Sequence, residues 1–513
     1  MSSLFIICVF LFMSSPSSIQ AGYQQSECLN VPSSTFLTSI NSTIDLVNVA
    51  ASLVSEFANQ FHENRLSYAI NDCLELLDYT ADELSLTQSA MKNPNGKDGS
   101  TGDRAVDLKA WLSAALGNQD TCMEGFEGTN SFVKNVLGGS LQQVTSQVAN
   151  VLSMVNVPSN RNSLHSYNGR KLRSINHFPS WMKTSDKKVL LQAPTTGVSA
   201  NVVVAADGSG SFTSVMDAIL AAPDYSTSRY VIYVKRGVYK ENVDIKKKKW
   251  NLMIVGDGMG VTVISSNRNV MDGWTTFRSA TFAVSGKGFI ARDISFENTA
   301  GPEKHQAVAF RSDSDLSAFY RCEFNGYQDT LYAHSLRQFY RECRITGTVD
   351  FIFGNGAAVL QNCQILAKKG LPNQKNTITA QGRKDPNQSS GFSIQFSNIS
   401  ADSDLLPSVN SNPTYLGRPW KQYSRTVFMQ SYMSSAVKPE GWLEWQGDFA
   451  LSSLYYGEYM NYGPGAGLGS RVKWPGYHQI NSTQAVTFTV AQFIDGNFWL
   501  PTTGVKFTAG LTM

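Results

Sequence analysis

Two aspartates, Asp329 and Asp350, lie 21 residues apart in GYQDTLYAHSLRQFYRECRITGTVDFIFGNGA, a stretch rich in aromatic residues and glycine. Two carboxylates held close together cannot both ionise freely, so the pKa of one rises while that of the other stays low. Such a pair supplies one acid and one base or nucleophile. The interval brings the two side chains together only if the chain coils with a matching period.

Two glutamines repeat at nearly the same interval. Gln306, Gln328 and Asp350 follow one another at equal spacing, which is one residue longer than the spacing of the aspartates. An amide donates a hydrogen bond to a developing oxyanion without adding a charge. We therefore expect both glutamines to stabilise an oxyanion beside the aspartates.

Three further residues are suited to holding a substrate. Arg418, in the segment YLGRPWKQYSRTVFM, can keep a carboxylate ionised and correctly oriented. Trp420 in the same segment and Tyr332 offer flat aromatic faces that can stack on a sugar ring. The competing interpretation of GRPW is a proline-containing turn with its tryptophan in the core.

From residue 201 onward the sequence consists of short β-type runs separated by polar turns. FYRCEF begins at Phe319 and FYRECRI at Phe339, and Cys322, Cys343 and Cys363 are 21 and 20 residues apart. A repeat of about 20–22 residues is the signature of a parallel β-solenoid, in which each repeat forms one coil. A sandwich or barrel would show hairpin alternation without this period. The three cysteines are odd in number, and Cys322–Cys343 is one candidate disulfide.

The preceding part of the sequence has helical periodicity. Apolar residues recur at helical intervals from Phe36 to Phe61 and from Leu66 to Leu77, and two more helical segments follow the loop NPNGKDGSTG. Four helices of this size predict an up-and-down bundle over residues 22–155. The predicted fold class is therefore mixed: an all-α four-helix bundle followed by an all-β solenoid over residues 196–513.

The first 21 residues have the features of a signal peptide. The apolar run LFIICVFLFM is too short to span a bilayer, and small and polar residues follow it up to Ala21. Four N-glycosylation sequons fit a secretory route; they are at Asn41, Asn387, Asn398 and Asn481.

Residues 156–195 are rich in proline, asparagine, glycine and basic residues, which indicates an exposed joint between the two domains. The sequence GRKLR within it makes a candidate processing site of four residues, Arg170, Lys171, Leu172 and Arg173. A solvated basic linker that is not cut is the alternative.

Charge is divided unevenly along the chain. Residues 21–155 carry 15 acids and 6 bases, whereas residues 196–513 carry 30 bases and 24 acids. The basic charge of residues 196–513 favours an anionic partner, and the acidic bundle could compete with that partner for the same surface. The run Lys246–Lys249 is expected to be a solvated edge that could also attract polyanions.

Several other chemistries have little support. The sequence has no C-x-x-C pair and no histidine cluster, so a zinc site is not expected. It has no G-x-S-x-G elbow of a serine esterase. The segments GDGMG and GPGAGLG lack the strand and helix that flank nucleotide-binding loops, and we expect them to be turns.

The motifs GYQDTLY, GTVDFIFGN, YLGRPW and HQAVAF resemble the signatures of plant pectin methylesterases. The resemblance covers residues 199–513, and residues 26–155 resemble the inhibitor-like pro-region that precedes the catalytic domain in one group of these enzymes. It implies a right-handed parallel β-helix that de-esterifies methylated homogalacturonan in the cell wall. It also implies that no metal or organic cofactor is needed.

The resemblance assigns roles to individual positions. Asp350 corresponds to the nucleophile, Asp329 to the general acid and base, and Gln328 with Gln306 to the oxyanion site. The implied substrate-binding residues are Thr281, Arg418 and Trp420, with Tyr332 as an additional candidate.

The same resemblance bears on the disulfides. Cys73–Cys122 matches one bridge of the inhibitor-like family. Some family members carry cysteines where this chain has Ser295 and Ser397, so two of their disulfides cannot form here.

The expected partners are methyl-esterified homogalacturonan and the chain's own pro-region, with separate inhibitor proteins and subtilisin-type processing proteases as further candidates. We expect a secreted, monomeric cell-wall enzyme that binds neither nucleic acid nor membrane. Two alternatives remain at this point. One is a pectate-lyase-like β-helix, which would need Ca²⁺ ligands and a basic proton acceptor; the other is an inactive wall-binding protein.

Overall fold

The computed structural model describes residues 28–58, 60–61, 64–93, 101, 103–129, 131–157 and 199–512. The predicted signal peptide and the processing site at 170–173 lie outside the described residues, as does most of the basic joint. The domain boundaries expected around that joint therefore stay predictions.

The N-terminal part is a bundle of four helices, as predicted. Each helix packs against the next, and the fourth closes against the first. The four are α1 Ser33–Phe57, α2 Asn64–Lys92, α3 Arg104–Gly125 and α4 Ser131–Ser153.

The helices differ in how much of their surface is buried. α1 is long and apolar enough to cross a membrane by length and composition alone, but it buries a stripe from Phe36 to Val54 inside the bundle. α3 begins at the N-cap Asp103, whose side chain accepts a hydrogen bond from the Val106 amide. Nearly every residue from Ala105 to Leu116 is buried, because α3 lies between the other helices and the C-terminal domain.

A disulfide joins α2 to α3. Cys73 and Cys122 are bonded, with their Cα atoms 4.4 Å apart, which confirms the pairing implied by the resemblance. The bridge ties together the two helices that also face the C-terminal domain.

The C-terminal domain is a parallel β-helix with three faces, which confirms the predicted solenoid. All strand pairings within each face are parallel. The first face consists of β1 Val202–Val204, β2 Tyr230–Val234, β5 Leu252–Val255, β8 Ile290–Asn298, β10 Ser317–Asn325, β12 Arg337–Arg341, β15 Ala357–Gln361, β18 Gly391–Gln395, β21 Arg425–Met429, β23 Tyr455–Tyr459 and β24 Tyr477–Gln479.

The second face shares the long strands β8 and β10 with the first. Its other strands are β3 Gly237–Lys240, β6 Thr262–Ser266, β13 Arg344–Gly347, β16 Gln364–Ala367, β19 Asn398–Ala401 and β22 Tyr432–Met433. The third face, which carries the candidate site, consists of β4 Val243–Ile245, β7 Phe282–Val284, β9 Phe310–Ser312, β11 Leu331–Tyr332, β14 Ile352–Gly354, β17 Asn376–Gln381 and β20 Thr414–Gly417.

The coil length is constant only in the middle of the domain. On the third face Leu331 pairs with Phe310 on one side and with Ile352 on the other. Each of these partners is separated from Leu331 in sequence by the same interval that separates Asp329 from Asp350. The next partner of Ile352 is Thr379, which lies further along the chain than this interval predicts. On the first face the interval between the paired residues Leu360 and Ile394 is longer still. Loops inserted between strands lengthen these later coils, so the repeat predicted from the sequence does not extend to them.

The predicted disulfide Cys322–Cys343 is wrong. Cys322, Cys343 and Cys363 are buried thiols that stack on successive coils inside the β-helix. The Cys343 and Cys363 sulfurs contact the main-chain carbonyls of Phe319 and Tyr340, each on the preceding coil. Stacking at strand spacing therefore satisfies the thiols without a covalent bond.

Short helices close the domain. α5 Val215–Ala221 packs near the first coils. Near the C-terminus lie α6 Ser482–Val486, α7 Val490–Phe493 and α8 Gly496–Trp499. α7 and α8 cover the outer side of the first face, with Val490 and Trp499 packed against Phe339 and Val359.

Candidate active site

The two aspartates lie at equivalent places on adjacent coils. Leu331 pairs with Ile352, and each aspartate comes two residues before its member of this pair. Both have left-handed backbone conformations, with φ of 63° for Asp329 and 52° for Asp350. Such values are uncommon for residues with a Cβ atom and cluster at functional sites.

Asp350 is held in a fixed orientation by Arg418. The guanidinium donates from Nε to Oδ1 at 2.8 Å and from Nη2 to Oδ2 at 2.7 Å, a bidentate geometry that favours the ionised carboxylate. The Thr377 hydroxyl also donates to Oδ1, at 2.7 Å. Arg418 in turn stacks over the Trp445 ring, 4.3 Å from its centre. Neither Thr377 nor Trp445 lies in a motif with recognisable spacing, so the sequence alone does not predict these two residues.

The surroundings of Asp329 have the opposite effect from those of Asp350 and favour the protonated form of the side chain. Burial raises the pKa of Asp329 well above its usual range, and the neighbouring Asp350 carboxylate raises it further. Arg418 lowers the pKa, but its two donor groups are directed at Asp350. The arrangement therefore places a carboxyl group with a raised pKa beside a carboxyl group that is bound by Arg418 on the next coil.

A cleft of about 530 Å³ contains both aspartates. The structure brings most of the predicted site residues to it: Gln306, Gln328, Tyr332, Arg418 and Trp420 all line its walls. Tyr332 stacks on Phe353, with ring centres 4.0 Å apart. These aromatic rings form an apolar wall beside the polar groups.

Thr281 does not reach this cleft. Its side chain is fully buried, and its hydroxyl donates to the main-chain carbonyl of Glu297 at 2.9 Å. Thr275 and Thr276, on the segment before it, line the cleft instead. The expectation that Thr281 contacts substrate therefore has no support in this geometry.

The helical bundle covers the cleft. Arg65 of α2 and Thr121 and Glu124 of α3 line the same cavity as the two aspartates. The Thr121 hydroxyl is 2.9 Å from Nε2 of His334 and 3.4 Å from the Tyr332 hydroxyl.

Glu124 accepts a hydrogen bond from Nζ of Lys421 at 2.6 Å. Burial raises the pKa of Glu124 to about 7, even though Lys421 lowers it. Glu124 also contributes to the raised pKa of Asp329, so the bundle affects the electrostatics of the site itself.

Ion pairs between bundle acids and β-helix bases lie along the interface between the two domains. They are Asp72–Arg278, Glu75–Arg278, Glu75–Lys246, Asp78–Lys247, Asp82–Lys247, Asp107–Arg337, Asp120–Lys384 and Glu124–Lys421. The charge asymmetry of the sequence thus corresponds to direct contacts. Lys246 and Lys248 are exposed, as expected for a solvated edge, but Lys246 and Lys247 also pair with acids of the bundle.

The most deeply buried of these contacts is a triad. Arg337 donates to Asp107 of the bundle at 2.6 Å and to Asp315 of its own domain at 2.7 Å. The Trp111 indole donates to Asp315 at 3.3 Å. The side chains of Arg337 and Asp107 are at most 1% exposed.

Among the described residues, the structure has no group of three or more His, Cys, Asp or Glu side chains placed to hold a metal ion. The sequons differ in accessibility. Asn41, Asn398 and Asn481 are exposed, whereas Asn387 is partly buried close to Ser389, which contacts Ser113 of the bundle. Glycosylation at these positions stays a prediction.

Comparisons with known proteins agree on both domains. The Pectinesterase family model matches residues 201–497, and the Plant invertase/pectin methylesterase inhibitor model matches residues 7–154. The chain is 66% identical to the Pectinesterase/pectinesterase inhibitor PPE8B of Prunus persica, over 94% of this chain and 91% of that protein. It is 62% identical to the Probable pectinesterase/pectinesterase inhibitor 32 of Arabidopsis thaliana, over 95% and 93%.

Solved structures match the β-helix. A pectin methylesterase from carrot is 57% identical with a TM-score of 0.61, and the match covers 62% of this chain and all of that one. A pectin methylesterase from Aspergillus niger is 30% identical with a TM-score of 0.52, over 60% and 97%. The chain therefore belongs to the pectinesterase family of carboxylic ester hydrolases and carries an N-terminal domain of the pectin methylesterase inhibitor family.

Proposed function

We propose that this enzyme hydrolyses the methyl esters of galacturonate in cell-wall homogalacturonan, releasing methanol and free carboxylates. The observation that carries the proposal is the carboxylate pair, in which Arg418 binds both oxygens of Asp350 and burial raises the pKa of Asp329 on the adjacent coil. The names of the relatives, which are pectinesterases of plants, support the substrate class.

Asp350 acts as the nucleophile. One carboxylate oxygen attacks the ester carbonyl carbon at C6, and the carbonyl electrons move onto oxygen to give a tetrahedral oxyanion. The amides of Gln306 and Gln328 stabilise this charge. The intermediate collapses by breaking the bond to the methoxy oxygen, which takes the proton of Asp329 and leaves as methanol.

The second half-reaction restores the enzyme. The acyl-enzyme is an anhydride between Asp350 and the galacturonate carboxyl. Asp329, now ionised, takes a proton from water, and the resulting hydroxide cleaves the anhydride. Asp350 leaves as a carboxylate, the product carries a free acid group, and Asp329 is protonated again.

Binding and orientation come from the cleft walls. Trp420 and Tyr332 provide faces on which sugar rings can stack, and Arg418 keeps Asp350 directed at the ester. In the uncut chain the Tyr332 hydroxyl contacts Thr121 of the bundle, so substrate can reach this wall only after the bundle moves away.

We infer that the bundle restrains the enzyme until the joint is cut. Its contacts with Lys421 and Tyr332 occupy the cleft. A role as a folding and export aid is compatible with the same contacts. The bundle is the chain's own partner, while separate inhibitor proteins and a subtilisin-type protease are further candidates. The enzyme acts as a secreted monomer in the cell wall.

The function is tested by measuring methanol release from methylated pectin, using the chain cut at the joint and freed of the bundle, with and without EDTA. We expect methanol in both conditions and no unsaturated product. An unsaturated product that requires Ca²⁺ would establish a lyase, and the absence of both products would establish an inactive wall-binding protein.

The joint is tested separately by changing Arg170, Lys171 and Arg173 to alanine in the secreted protein. We expect an uncleaved chain with little methanol release. A mature-sized enzyme at normal yield would place the cut elsewhere, and the segment DKKVLLQ at 186–192 is the next candidate. An uncleaved chain with full activity would show that the bundle does not inhibit.

A further inference from the structure

Two lysines follow the candidate nucleophile on successive coils, and one of them, Lys421, lines the cleft together with Asp350. Lys384 follows β17 and Lys421 follows β20, which are the first and second strands beyond β14 on the third face. Asp350 immediately precedes β14. The segments that carry the two lysines therefore succeed Asp350 along the β-helix axis.

Both lysines hold carboxylates in the uncut chain. Nζ of Lys384 is 2.8 Å from Oδ1 of Asp120, and Nζ of Lys421 is 2.6 Å from Oε1 of Glu124. The side chains of Lys384 and Lys421 are only 17% and 27% exposed. Asp120 and Glu124 are four residues apart on α3, hence on one face and about 6 Å apart along the helix axis. Two ammonium groups thus bind two carboxylates arranged in a row.

An aromatic face lies beside this pair of lysines. The Lys421 ammonium is 5.0 Å from the centre of the Trp420 ring, and Trp420 lines the cleft together with Asp350 and Arg418. A sugar stacked on Trp420 would place a neighbouring unit of the same polymer at Lys421. A free galacturonate carboxylate is an anion and can form a charge-assisted hydrogen bond there, whereas a methyl ester has no charge to offer.

We propose that Lys421 and Lys384 bind free galacturonate carboxylates of partly de-esterified pectin, and that Glu124 and Asp120 of the bundle occupy these two positions until the bundle leaves. The inference rests on the proposed function, because it assigns specificity residues to that site. It makes an ester flanked by free carboxylates the preferred substrate. It also makes the bundle a mimic of the product.

The test uses the complete chain, cut at the joint, with the β-helix immobilised and the bundle still bound. All proteins carry Asp350→Asn so that oligomers are not turned over. Release of the bundle is measured against the concentration of a fully de-esterified and a fully methyl-esterified galacturonate hexamer. The buffer has constant ionic strength and pH 7.5, above the Glu124 pKa of about 7.

We expect the de-esterified hexamer to release the bundle at a concentration about tenfold or more below that of the methylated hexamer, as charge-assisted hydrogen bonds would give. Lys421→Met and Lys384→Met should each reduce this preference, and the double variant should abolish it. Lys247→Met is the matched control, because Lys247 pairs with Asp78 and Asp82 of the bundle but does not line the cleft. Lys247→Met should weaken docking of the bundle but leave the preference for the de-esterified hexamer unchanged.

Equal potency of the two hexamers, release by neither, or a preference that survives in the double variant would overturn the inference. None of these results would affect the proposed esterase activity, which is measured independently as methanol release.

Discussion

The cleft and the buried triad each bring one guanidinium together with two carboxylates. In the cleft, Arg418 binds Asp350 beside Asp329, and all three residues belong to the β-helix. In the buried triad, Arg337 binds Asp315 of the β-helix and Asp107 of the bundle. The first set therefore lies within one domain, whereas the second spans the interface.

The difference decides what each set can do. The cleft keeps its three groups when the bundle leaves, so Arg418 can still bind Asp350 beside Asp329. The triad loses Asp107 on separation, which leaves Arg337 with one acid. We therefore expect the triad to contribute to docking of the bundle, since a buried charge without its partner is costly.

The largest effect is expected from Asp350→Asn, which removes the nucleophile and keeps the shape of the side chain. Methanol release should fall by about 10⁴-fold or more, the order seen when a nucleophile is deleted. Asp217→Asn is the matched control, because Asp217 is exposed on α5, away from the cleft, and it should leave the rate unchanged. Near-normal release by the Asp350 variant would remove that residue from the mechanism.

A smaller loss is expected from Asp329→Asn. An amide cannot protonate the departing methanol or activate water, so kcat should fall by about 10²–10⁴-fold, the usual contribution of a general acid and base. The initial rates of the bundle-free enzyme at saturating pectin measure this. A loss below tenfold would mean that water or another group transfers the proton.

Asp107→Asn tests the latch without altering the β-helix. Loss of the buried charge pair with Arg337 should weaken docking of the cut bundle by about 10²-fold or more. The bundle-free enzyme should keep its normal methanol release. Asp45→Asn, on an exposed position of α1, is the control. If both variants dock equally well, then the triad is not what holds the domains together.

The smallest effect concerns pH. Burial raises the pKa of Glu124 to about 7 in the docked chain, above the usual 4.5, so docking takes up protons. Its contribution to affinity is complete below pH 4.5 and is lost as pH rises towards 7. Asp72, whose pKa burial also raises, acts in the same direction. Glu124→Gln should remove the part of this pH-dependent fall in docking affinity that is due to Glu124. Because Glu124 is partly exposed, that part should be no more than about tenfold, as measured by bundle release at several pH values.

The sequence predicts the centre of the site because the coil length is constant there. The regular interval places Asp329 beside Asp350 and brings Gln306 and Gln328 near them. Arg418 lies beyond the lengthened coils, so only its motif indicates it. Thr377 could not be found in this way, because an inserted loop lengthens the coil that carries it beyond the regular interval.

Contacts between the domains were even less predictable. Asp107 and Arg337 are 230 residues apart, and no periodicity relates a bundle to a solenoid. Charge composition indicated that the domains attract each other, but it could not identify which residues pair. The Cys322–Cys343 prediction was wrong for a related reason, since equal spacing shows that residues stack and does not show that they bond.

The most direct test of the account is the protonation state of the two acids in the uncut chain. Difference infrared spectra at neutral pH would compare the wild type with Asp329→Asn, Asp350→Asn and the control Asp217→Asn. We predict that Asp329→Asn removes a carboxylic-acid carbonyl band, while Asp350→Asn and Asp217→Asn each remove carboxylate bands. Loss of a carboxylate band in Asp329→Asn would contradict the assignment of Asp329 as the protonated acid beside an ionised nucleophile.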